Sequence, residues 1–165
     1  MNKEEFVSKL KQQEQQNTDG KAQQQADIAE FQLRVRELTS LIKGWLENVP
    51  SVQVSVASMP LPDSTLFDKS SSTYPIDFIT ITANGRSLQL KPNALYLMGA
   101  KGLVHVAFNG VRVGQEYSLI MRDGEVPDGE WAFVTTVSIQ GNRKTRKSVK
   151  LDEDVFFELL SKLIE

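Results

Sequence analysis

Between residues 28 and 49 the apolar side chains return at alternating steps of three and four: Ile28, Phe31, Val35, Leu38, Ile42, Trp45 and Val49. No strand has that period, so the stretch reads as an α-helix with one narrow apolar seam. Leu41 and Leu46 widen the stripe, as a helix lying on a sheet requires. Pro50 lacks the N–H that a further turn would use, and it ends the helix. Followed backwards in phase, the seam reaches Leu10 and Val7, but it passes through Glu14, Asn17, Lys21 and Gln24 on the way. Thr18-Asp19-Gly20 supplies a turn and a cap together, inside a glutamine-rich run with little to bury. The pattern therefore predicts a short helix near residues 3–16 and a longer one from about residue 21, in preference to one helix with a solvated middle.

From Ser51 the period changes to two. Val52, Val54 and Ala57 predict a first strand, and the Pro-, Ser- and Asp-rich segment from Met59 to Thr73 predicts a long loop. Asn84-Gly85 suits a two-residue hairpin turn, since both positions must tolerate positive φ. Closing on it sets Ile81 against Leu88 and Ile79 against Leu90 on an apolar face, with Phe78, Thr80 and Thr82 against Lys91, Gln89 and Ser87 on a mostly polar one. A second hairpin is expected at Asn109-Gly110, placing His105 opposite Gly114. Further strands are expected at Leu95–Met98, Tyr117–Arg122, Trp131–Gln140 and Thr145–Leu151. Asp152 can cap a last helix, with Leu151 packing on Phe156 and a buried face of Phe156, Leu159, Leu160 and Leu163. The expected class is α+β: amphipathic N-terminal helices in residues 1–50, then in 51–165 a mostly antiparallel sheet built from hairpins, with a short C-terminal helix packing on it, all around one continuous core.

Composition narrows the chemistry. With 19 basic and 21 acidic residues the net charge is -2, which argues against a whole-surface attraction for nucleic acid and leaves only a local patch. There is no cysteine, so disulfides, thiolate metal sites and a cysteine nucleophile are excluded. The N-terminus is charged and glutamine-rich without the apolar core of a signal peptide, and no run reaches membrane-spanning length. The expectation is a cytoplasmic protein with no membrane partner.

His105 is the sole histidine and stands mid-strand with no partner, so catalysis through it lacks the constellation a site needs. Arg143, Lys144, Arg146, Lys147 and Lys150 form the densest basic run, with Arg143, Lys144 and Arg146 the candidate phosphate contacts. A three-residue loop Gly141-Asn142-Arg143 would set Lys144 against Gln140, Arg146 against Ser138 and Lys150 against Val134. Three charges then face solvent, where they also guard an edge strand, while Lys147 falls on the apolar side. Asp123, Glu125, Asp128 and Glu130 cluster in eight residues, but their spacing fails the calcium-loop pattern, and they suit a basic partner better. Ser40-Leu-Ile-Lys43 lies inside the seam helix without companion motifs, and Gly99-Ala-Lys-Gly102 fits no phosphate loop. No catalytic residue, metal or cofactor is expected. The reading is a non-enzymatic protein that binds another protein or itself, as adaptors, chaperones and toxin-neutralising proteins do. Its expected contact residues are Phe6, Leu10, Ile28 and Phe31 on the helices and Asp123, Glu125, Asp128 and Glu130 in the acidic loop. The alternative is a nucleic-acid-binding module using the basic strand at 143–150, and an enzyme using His105 comes third.

Overall fold

A computed structural model describes residues 1–139 and 143–165, with side chains described for all of these except 137–139 and 143–145. The seam forms a helix, and a longer one than the break signals allow: α1 runs without interruption through Lys3–Leu46. Asn2 caps it by accepting from the Glu5 N–H at 2.8 Å, and Glu4 and Glu5 sit at the positive end of the helix dipole. The expected break at Thr18-Asp19-Gly20 is corrected. The Thr18 hydroxyl donates to the Glu14 carbonyl at 3.0 Å, and the Gln15 amide donates to Asp19 at 3.0 Å, so both polar residues find partners within the helix. Gly20 serves space instead of a turn, because a Cβ there would lie 3.1 Å from the Phe67 ring.

Among the described residues seven strands follow: β1 Val52–Pro62, β2 Thr73–Ala83, β3 Arg86–Leu97, β4 Ala100–Asn109, β5 Glu116–Asp123, β6 Ala132–Ile139 and β7 Arg143–Lys150. Each pairs antiparallel with the next, so the sheet is a simple meander in chain order. At the β2–β3 turn Asn84 and Gly85 take φ of 55° and 70°, and Ile81–Leu88 and Ile79–Leu90 pair as expected. Three strand expectations need correction. β1 continues to Pro62, which shortens the expected loop to residues 63–72. Leu95 and its neighbours belong to β3, which bends through a bulge between Pro92 and Ala94. Asn109-Gly110 makes no two-residue turn: of the pair only Gly110 has a positive φ, and β4 closes on β5 beyond a six-residue connection. His105 therefore lies opposite Ser118, not Gly114.

Core and edges follow from this order. Phe31, Val35, Leu38 and Ile42 on α1 are buried with Ile79, Ile81, Leu88, Leu90, Leu119 and Met121 from the sheet. Gly102 lets β4 pass beneath the helix. Its φ is +79°, and a Cβ would meet Met121 Cβ at 2.5 Å and the Phe31 ring at 3.2 Å. The C-terminal helix α2, Glu153–Leu160, is capped by Asp152, which accepts from the Val155 N–H at 2.8 Å. It buries Phe156, Leu159 and Leu160 beside the end of α1, with the Trp45 and Phe156 rings 5.4 Å apart. A second, smaller cluster of Ile120, Val126, Ala132 and Val134 lies on the opposite sheet face, where Val126 folds the acidic loop back onto the strands. On β7 the register is two residues from the expected one, with Lys144 opposite Ser138, Arg146 opposite Thr136 and Lys150 opposite Ala132. A shift of two leaves Lys147 on the same face as expected, and it stands on the α2 side.

Candidate functional site: a projecting helix and its polar clamp

Residues 1–19 are exposed on every side of the helix, and α1 first becomes buried at Gln24. The first five turns thus project from the body as an arm. Phe6, Val7 and Leu10 share one face of it and are 57%, 38% and 47% exposed. A free helix of that length is marginal in water, because nucleation is costly. Here the nucleus is supplied by the buried remainder of α1, so the arm only has to propagate.

The point where arm becomes body is a polar clamp. Gln24 is fully buried; its carbonyl oxygen accepts from the Phe67 and Asp68 N–H groups, both at 3.1 Å, and its amide donates to the Asp68 carbonyl at 3.3 Å. One side chain thereby pins the 63–72 loop to the helix. One turn on, buried Asp27 accepts from the Tyr96 hydroxyl at 2.7 Å, from Gln23 at 3.0 Å and from Lys101 Nζ at 3.2 Å. At the root of the loop, Asp63 accepts from the Tyr74 hydroxyl at 2.6 Å, from the Leu95 N–H at 2.8 Å and from the Thr65 N–H at 3.0 Å. Glu30 holds Arg122 at 2.6 Å, and Arg34 lies over the Trp131 ring 5.4 Å from its centre.

The electrostatics follow from this arrangement. Burial opposes ionisation of Asp27, but the bonds from Tyr96, Gln23 and Lys101, with the Lys101 charge, outweigh it and hold the carboxyl below its usual range. Burial, then Asp27 as acceptor and neighbouring charge, pushes the Tyr96 phenol up; burial and Asp63 do the same to Tyr74. Among the described residues no buried side-chain nitrogen or oxygen lacks a partner. With its donors and acceptors so committed, the cluster joins helix, loop and sheet.

The residues expected to make contacts divide accordingly. Phe6 and Leu10 stand open on the arm. Ile28 and Phe31 are buried against the sheet, which withdraws them from the surface set; the seam is satisfied within the chain from residue 28 onward. Asp123 is buried too. It takes an ion pair from Arg146, a bond from the Ser148 hydroxyl at 3.2 Å and another from the Glu125 N–H at 3.2 Å. Glu130 pairs with Lys150 at 3.5 Å, and Glu125 and Asp128 remain exposed at the loop. The Arg143 and Lys144 side chains lie outside the described residues. His105, exposed, shares a groove of about 450 Å³ with Gln115, Glu116 and Ser118, yet among the described residues no hydrogen bond ties it to any of them. No group of three His, Asp or Glu side chains that could hold a metal occurs among the described residues, and none of their helices is long and apolar enough to cross a membrane.

The clamp residues were missed by sequence reasoning, although Gln24 carried a signal. It occupies a seam position in phase with the buried residues, which makes it a core polar group awaiting a partner as much as a sign that the helix has stopped.

Fold and site together define an α+β protein whose long N-terminal helix is half packed on an antiparallel meander and half free. No family model, curated protein or solved structure matches the chain.

Proposed function

We propose that this protein works in the cytoplasm, without catalysis, by binding another protein through the projecting half of α1. The observation that carries the reading is the open apolar face of Phe6, Val7 and Leu10 on a helix rooted in a rigid core. A helix with anchors at i, i+1 and i+4 matches the way amphipathic helices enter apolar grooves or pair with other helices. Because the buried half of α1 already imposes the conformation, the arm meets its partner with little further ordering, which favours affinity. The cysteine-free composition suits a reducing compartment. The basic strand supports a phosphate-binding alternative less well, since Arg146 and Lys150 are engaged by Asp123 and Glu130.

A photo-crosslinker tests this. Placed at Leu10 in the full chain, in native lysate, it is expected to capture a defined protein; placed at Gln12, on the opposite side of the helix, it is expected to capture nothing. Equal capture at both positions, or none at either, would overturn the reading.

A further inference from the structure

The two outer strands of the sheet are built on opposite principles. β7 carries Arg143, Lys144, Arg146, Lys147 and Lys150 in eight residues. β1, Val-Gln-Val-Ser-Val-Ala-Ser-Met-Pro-Leu-Pro, carries no charge in eleven. Exposed sheet edges are normally guarded by charge, proline, bulges or a covering element. β7 is guarded by its cations. β1 pairs with β2 over its whole length without a bulge, and among the described residues its backbone makes no bond to any other element.

The prolines fix which backbone groups face outward. Pro60 lies directly opposite Pro75, and neither has an N–H, so that pair cannot be a hydrogen-bonded one. Counting back in twos along the regular register, Val52, Val54, Val56 and Ser58 also stand at non-bonded positions. Their N–H and C=O groups therefore point away from β2, to the side on which no other described strand pairs. Pro60 and Pro62, next in the series, have no N–H to offer, so the open run stops at Ser58. At the other end it stops at Pro50 and Ser51, where the chain turns with φ of +65° at Ser51.

We propose that this edge is a self-association surface, on which a second copy adds its own β1 antiparallel about a two-fold axis at Ser55. In that register Val54 meets Val56 of the second copy and Val52 meets Ser58, giving about eight main-chain hydrogen bonds. Pro50 and Pro60 then fall opposite one another at both ends, so the pairing is bounded symmetrically by the residues that terminate the run. Cross-strand valine pairs are favourable, and the uncharged strand meets itself without repulsion. Ser55 and Ala57, exposed on the solvent-facing side, are small enough to stand beside their counterparts across the axis. The product is a continuous sheet of two meanders with a charged β7 at each outer edge, a closed two-fold assembly that cannot extend into a fibre.

The test uses the full chain in analytical ultracentrifugation, from low to several hundred micromolar. The wild-type protein is expected to reach the mass of two chains. Ser55→Lys and Ser55→Glu each place like charges face to face at the axis and are expected to weaken association roughly tenfold or more, while an equimolar mixture of the two restores it. Ser58→Pro, which removes one outward donor and no buried side chain, is expected to weaken it as well. Circular dichroism melts confirm that each variant folds. Phe6→Ser/Leu10→Ser is expected to dimerise as the wild type does, which separates this edge from the arm. A wild type that stays monomeric throughout, a Ser55→Lys protein that dimerises normally, or charge variants that fail to rescue one another would each overturn the proposal.

Discussion

Asp27 brings a carboxylate into a space closed by Tyr96, Gln23 and Lys101, and the cost of that burial is met only while all three are in place. Replacing it by Asn keeps the shape but leaves the Lys101 ammonium without its counter-charge. Since Lys101 is about one-third exposed (31%), water screens part of the loss, and Asp27→Asn is expected to cost about 1–2 kcal/mol in urea unfolding near neutral pH. The pH dependence has a definite sign. A carboxyl held below its unfolded value of about 3.9 stabilises the fold at all pH values above that, and the contribution fades as pH falls through the folded value. A phenol held above its unfolded value of about 10 stabilises at all pH values below that, and the contribution is lost as pH rises toward the folded one. Unfolding measured against pH should therefore show the acid limb flattened in Asp27→Asn and the alkaline limb flattened in Tyr96→Phe. Gly102 gives a sterically clean case. Gly102→Ala drives a methyl group into Met121 and the Phe31 ring at a backbone angle alanine disfavours, and a loss of about 2 kcal/mol or more is expected from the same unfolding experiment.

At the scale of elements, one helical side chain, Gln24, ties the middle of the 63–72 loop to α1, while Asp63 and the buried Leu66 hold its beginning. Gln24→Ala deprives the Phe67 and Asp68 N–H groups of their acceptor, so hydrogen exchange is expected to rise by an order of magnitude or more across 63–72, while Ile79 and Ile81 keep their protection. If exchange at residues 67 and 68 does not change, the clamp does not hold the loop. The same residues show where the sequence was readable. The seam as far as Leu46, the Asn84-Gly85 hairpin and the Asp152 cap are local codes, in which period or turn chemistry suffices, and they were legible; the helix end was not, since α1 stops at Leu46, ahead of Val49 and Pro50, where Asn48 takes a positive φ. Gly20 and Gln24 were misread because their partners, Phe67 and Asp68, lie more than forty residues away. A glycine under a distant ring and a glycine in a turn are identical in a linear text. The Asn109-Gly110 turn failed for a related reason: β4 has β3 on one side and β5 on the other, and what lies across a sheet is not written in the turn. Of the contact set, Phe6 and Leu10 were legible as surface residues through their polar surroundings. Ile28 and Phe31 differ from them only in having a sheet beneath.

For the molecule as a whole, α1 has two halves with opposite dependence on the sheet, and truncation separates them. Residues 1–19 bury nothing, so their removal takes away helix but no core contact. Deleting 1–19 is expected to leave the cooperative unfolding transition intact, with a stability change within about 0.5 kcal/mol, and to lower helical ellipticity by the share those turns contribute. Deleting through Leu38 is a different perturbation. It removes Ile28, Phe31, Val35 and Leu38, each essentially buried, together with Gln24 and Asp27. At about 2–5 kcal/mol for each of the four large core side chains, the loss is as large as the whole 5–15 kcal/mol that a domain of this size has in hand. A meander of strands paired only with their neighbours cannot compensate, because its apolar face has no other cover of that length. The shorter truncation should therefore fold and the longer one should not, as read by thermal melts and by the dispersion of amide resonances. If the chain lacking 1–19 loses its cooperative transition, the arm belongs to the folded core after all, and binding through it would need the core to rearrange.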